Sequence, residues 1–157
     1  MKIWVLTIFR LAPKANRLVK SIDERMEKIA LDAFGVTSEQ YERIINLNDE
    51  KIKIINLAIL CKTCRDSIIE RDYIAIMRYA RGESANEIAL DSGVSGGAIR
   101  KRICRALERC CKSLEQAGFS KSKLDSEYAK IDCVARAKGV IERKLRVKEN
   151  KNAYKKL

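Results

Sequence analysis

Between positions 99 and 107 four cations, Arg100, Lys101, Arg102 and Arg105, are interleaved with Ile99, Ile103, Ala106 and Leu107. On a helix the apolar four fall at i, i+4, i+7 and i+8, which turns them inward as a seam and leaves the cations facing water or an anion. A guanidinium fork pairs bidentately with a phosphate or with two acceptors on a guanine edge, whereas an ammonium acts as a point charge. This is the chemistry of recognition rather than of bond making. His is absent from the chain, so His-based triads and His-ligated metals are excluded, and no Gly-rich loop precedes a Lys-Ser or Lys-Thr pair. The carboxylates are scattered along helical stretches as i,i+4 partners of Lys and Arg. The expectation is a protein that is not an enzyme and carries no cofactor.

Two short elements must position these cations. In Ser84-Ala85-Asn86-Glu87 the Ser hydroxyl takes an orphan amide at a helix start while Glu87 reaches back, and Ile88 and Ala89 then share one face. Gly93 comes where the chain turns sharply with positive φ, Val94 offers an apolar plug, and Ser95 caps a second helix that begins at Gly96 or Gly97. The small Ala89 lets the two helices cross closely. The pattern predicts a helix-turn-helix whose second helix, apolar on one side and cationic on the other, suits a DNA major groove.

The stretch from Arg78-Tyr79-Ala80-Arg81-Gly82-Glu83-Ser84 through Gly93-Val94-Ser95-Gly96-Gly97-Ala98-Ile99-Arg100-Lys101-Arg102-Ile103-Cys104-Arg105-Ala106-Leu107 resembles region 4 of bacterial sigma factors. Upstream, Ile45-Asn46-Leu47-Asn48-Asp49-Glu50-Lys51-Ile52 and a helix leading into Tyr73 to Tyr79 resemble the sigma-like late-gene transcription regulators of Gram-positive phages. The resemblance spans about Tyr41 to Leu114. It implies that Ser95, Gly96, Gly97, Arg100, Lys101 and Cys104 face base edges, that Arg102 and Arg105 lie near phosphates, and that Ser84 and Asn86 belong to the same DNA-binding set. Gly96 and Gly97 depart from the family by offering no side chain, which concentrates readout on Arg100, Lys101 and the backbone. Residues 1 to 71 hold one Trp and no aromatic and acidic cluster for promoter melting, so the chain does not read as a complete sigma factor.

The rest of the chain supports this reading. Its 157 residues are 46% hydrophobic but only 6% aromatic, with one Pro, a composition that predicts an all-α protein. The formal charge of +12 points to a polyanionic partner, double-stranded DNA first, and twelve Lys and Arg against five Asp and Glu fall from Lys121 onward. Four segments are expected: an apolar leader (1–15), an N-terminal helical packing or oligomerisation region (16–71), the helix-turn-helix domain (72–118) and a basic helical tail (119–157).

In the second segment, Gly35 should stop a helix that starts near Asn16, and Thr37 with Gln40 should cap a long one. That helix carries Tyr41, Ile44, Ile45, Ile52, Ile55 and Ile59 on one stripe and Leu47, Ile54, Ala58 and Cys61 on a second beside it, a width that predicts a subunit interface and a homodimer. A break is expected near Glu70 and Arg71. Ser122 and Asp125 match a further capping box. The leader is too short to span a bilayer and no cleavage site follows it, so a cytoplasmic protein without membrane contact is expected, its six Cys reduced. Cys61-Lys62-Thr63-Cys64 has the spacing of a zinc or redox pair but sits in a helical pattern, which favours buried structural thiols over a metal site. The function expected is a sequence-specific transcription regulator, with RNA polymerase as a second candidate partner. The alternative is a DNA-recognition subunit like a phage small terminase, although those place the motif before their assembly helices.

Overall fold

The structure is a computed structural model that describes residues 1–31 and 37–153, with side chains through Val147. Among the described residues it is all-helical: α1 (Lys2–Leu11), a 3-10 turn, α2 (Ala15–Leu31), α3 (Ser38–Asp66), α4 (Glu70–Arg81), α5 (Ala85–Ser92), α6 (Gly96–Gln116), α7 (Lys121–Tyr128) and α8 (Asp132–Ala153). The expected stop at Gly35 and the end of the basic tail lie outside the described residues. No helix among those described is long and apolar enough to cross a membrane.

The apolar opening segment is the centre of the molecule. Trp4, Val5, Leu6, Thr7, Ile8, Phe9 and Leu11 of α1 are all buried, as expected of a helix that is apolar all round. It lies against α3, α4, α6 and α8. The Thr7 hydroxyl, the one polar side chain buried on α1, donates to the Ile3 carbonyl at 2.8 Å and so carries no desolvation debt. A single hydrophobic cluster joins α1 to residues of every other helix, α8 included, where Val134, Ala137 and Ile141 are buried. The segment from Lys121 is therefore a packed part of the core as well as a basic one.

Local capping chemistry sets most boundaries. Thr37 and Gln40 close the expected capping box on α3. The break before α4 comes at Ser67–Ile69, slightly earlier than the sequence indicates, with Ile69 as the N-cap and Gly82, at φ 129°, ending the helix. The capping box expected from Ser122 and Asp125 does not form. Ser120 caps α7 instead, accepting from the Lys123 amide at 3.2 Å, while Asp125 turns to Trp4 and Lys138.

Helix α3 is apolar on two opposite sides rather than on neighbouring stripes. Leu47, Ile54, Leu57, Leu60, Cys61 and Cys64 are buried, whereas Tyr41, Ile45, Ile52, Ile55 and Ile59 stand in solvent. The Cys61 and Cys64 thiols face α6, where the buried Cys110 Sγ donates to the Cys64 carbonyl at 3.6 Å. Burial pushes the Cys61 thiol up to about 11, and the Cys64 thiol is raised by its hydrogen bond with Cys110 and by burial. All six cysteines are free, and no group of three or more His, Cys, Asp or Glu among the described residues is arranged to hold a metal ion.

Candidate nucleic-acid interface

The three residues Gly93–Ser95 join α5 to α6. Ser84 accepts from the Glu87 amide at 3.2 Å while the Glu87 carboxylate takes the Ser84 amide, so both halves of the capping box are made. That backbone bond, together with the Ser84 hydroxyl, holds the Glu87 carboxyl below the usual carboxylate range. Gly93 adopts φ 62° and ψ 21°, the left-handed region that a side chain makes costly. Ser95 then caps α6 through the Ala98 amide at 3.2 Å.

With the turn fixed, the first residues of α6 pass close against α5. A Cβ on Gly96 would stand 2.1 Å from the Asn86 Oδ1, the movable end of a side chain, and 3.5 Å from the Asn86 Cα, an ordinary van der Waals contact, so the glycine leaves room for the Asn86 amide at the crossing. Gly97 looks outward, its nearest neighbour being the Ser95 hydroxyl at 3.8 Å. Ala89 is buried in the crossing, whereas Val94 is 37% exposed and plugs it only in part.

One turn beyond Gly96, Arg100 Nη1 donates to the Asn86 Oδ1 at 3.5 Å. Gly96, Asn86 and Arg100 thus form one surface across the two helices. Lys101, Cys104 and Arg105 are exposed on α6, and Arg105 Nε donates to the Lys101 carbonyl at 3.4 Å. Their opposite side is dry: Ile99, Ile103, Ala106, Leu107, Cys110 and Leu114 are all buried. The helix N-terminus at Gly96 adds its partial positive charge to that of the side chains.

The ten candidate residues do not all stand alike. Seven gather on this surface: Asn86, Gly96, Gly97, Arg100, Lys101, Cys104 and Arg105. Ser84 and Ser95 hold caps, and their hydroxyls are engaged by backbone amides. Arg102 lies to one side, its Nε 3.5 Å from the Oδ1 of Asp72, which is only 8% exposed. That ion pair ties α6 to α4.

Three contacts that frame the surface escape a motif search. Arg78 on α4 reaches Glu83 at 2.7 Å and Asp91 on α5 at 2.6 Å, which fixes the entry to α5, and both carboxylates hold its guanidinium pKa up. Arg10 of α1 donates to the carbonyls of Ala80 and Arg81 at 2.8 and 3.1 Å. Lys144 of α8 donates to those of Tyr79 and Glu83 at 3.1 and 2.9 Å with its ammonium 4.4 Å from the Tyr79 ring centroid. Two cations from opposite ends of the described chain therefore cap the C-terminus of α4, where the helix dipole favours positive charge. Arg10 lies near the end of α1 and Lys144 in the middle of α8, and neither position distinguishes it from the many other basic residues in the sequence.

Compared with known proteins, the chain matches no family model, no curated protein and no solved structure.

Proposed function

We propose that the chain is a DNA-binding transcription regulator in which α5 and α6 act as a helix-turn-helix and α6 enters the major groove. The observation that carries this reading is the tight crossing at Gly96 and Asn86. It projects Arg100, Lys101 and Arg105 from a helix whose other side is fully buried, so the cations are held on a rigid support. A net charge of +12 supplies the long-range attraction for a duplex. Arg100 is the reader of bases and Lys101 and Arg105 flank it, while Arg102 serves packing through Asp72. The likeness of Arg78 to Leu107 to sigma region 4 agrees with this assignment and makes RNA polymerase the second partner to test.

Selection of bound fragments from random genomic DNA supplies the duplex for the test. Binding of the parent protein and of Arg100→Ala is then measured on that duplex and on a scrambled one at a single salt concentration. Loss of a bidentate guanine contact costs roughly 1 to 3 kcal/mol on the selected duplex alone. An equal loss on both duplexes would make Arg100 a phosphate clamp, and the absence of any enriched fragment would overturn the reading as a whole.

A further inference from the structure

The exposed side of α3 has a repeat of its own. Ile45, Ile52 and Ile59 are spaced by seven, and Tyr41, Asn48 and Ile55 form a second set spaced by seven, so the solvent-facing positions alternate in steps of four and three. This is the a and d seam of a coiled coil. It is open to water along its length: Tyr41 is 61% exposed, Ile45 50%, Ile52 48%, Ile55 42% and Ile59 57%. From Tyr41 to Ile59 the eighteen steps of the helix span about 27 Å at the helical rise. The buried face of the same helix, centred on Leu47, Ile54 and Leu57, points the other way, so the seam takes no part in the core of its own chain.

We propose that a second copy of this chain covers the seam, α3 packing in parallel and in register against its partner as a two-stranded coiled coil. Two features of the seam select this occupant. Asn48 lies in the middle of the seam, and an amide, being donor and acceptor at once, is satisfied by its own copy across a parallel in-register axis. The antiparallel pairing would set Asn48 against Ile52. It would also bring Asp49 beside Asp49 on one flank, whereas the parallel pairing sets Ile44 beside Asp49; on the other flank Lys51 is already paired with Asp23 of α2 at 2.6 Å. The five large side chains leave roughly 100 Å² each in water, so a pair covers at most ~1,000 Å², the size of a weak, reversible interface. The proposal is independent of what α6 binds.

The mass in solution is measured by sedimentation equilibrium on the full chain through the micromolar range. The expected value is twice the chain mass of 17.9 kDa. Ile52→Asp puts a charge into the seam and should weaken association at least ~100-fold while leaving the helical circular dichroism intact, because Ile52 touches solvent in the single chain. Ile59→Gln gives the same reading at the end of the seam with a milder change. The register is tested by Asn48→Asp and Asn48→Lys, each expected to be monomeric alone and to dimerise when mixed. A wild-type chain that stays at 17.9 kDa, or one that forms trimers, overturns the proposal. So does a dimer that both Ile variants leave unchanged, or a mixture of the two Asn48 variants that stays monomeric.

Discussion

Asp125 shows how one carboxylate can fasten three helices. Its Oδ1 accepts from the Trp4 indole at 3.0 Å and from the Lys138 ammonium at 2.6 Å, and that ammonium lies 4.8 Å from the Trp4 ring centroid. The hydrogen bond from Lys138, with a smaller one from Trp4, holds the Asp125 carboxyl below its ordinary value. A depressed carboxylate contributes stability above its unfolded pKa of about 3.9, and the contribution is lost as pH falls through the folded value. Trp4 is the only Trp, so its fluorescence should report a step in acid below about pH 4 that Asp125→Asn abolishes. An unchanged titration in that variant would assign the step elsewhere. Gly96 shows the limit of reading residues one at a time. From sequence it is a position without a side chain to offer, whereas in the fold it is the point where α6 meets Asn86.

At the scale of elements, the caps were the most legible features because each is written in four consecutive residues. Ser84→Ala removes one half of a box in which both bonds are made, and should cost about 1 kcal/mol of local stability. Amide exchange should speed up in α5 before it does in α3, and exchange in α5 that matches the parent's would show that Arg78 and Lys144 hold the element without the cap. The same four-residue pattern misleads at Ser122, because Asp125 is claimed by Trp4 at a separation of 121 residues, which no local pattern encodes. In α3 the helical period marks both apolar stripes correctly as apolar. It does not say which faces the core, since that depends on where α1, α2 and α6 lie. The cationic face of α6 was legible for the opposite reason: Ile99, Ile103 and Leu107 fix the buried side from within the helix, and all three are buried. Arg102 falls at the edge of that face, and its pairing with Asp72 depends on where α4 packs.

Taken whole, the molecule is organised around its first helix. Phe9 is fully buried on α1 and packs at a tilt against Tyr73, with ring centroids 5.8 Å apart. Phe9→Ala should destabilise the protein by about 3 to 5 kcal/mol, and because one cluster spans the fold the loss should appear as a single lower calorimetric transition. Two separated transitions would show that α5 and α6 fold apart from α1. Composition alone indicates an all-helical chain, yet the apolar stretch at positions 2–11 reads as a leader, since the helices that enclose it come from the middle and the far end of the sequence. This order has a consequence for synthesis. The ribosome delivers α1 first and α8, which packs against it, some 130 residues later. At translation rates of 5–20 residues per second, roughly ten seconds pass in which Trp4, Ile8 and Phe9 have left the tunnel without all of their neighbours. The nascent chain therefore holds its most apolar helix only partly covered, by α3, α4 and α6, until α8 arrives, so native packing is completed after, rather than during, elongation.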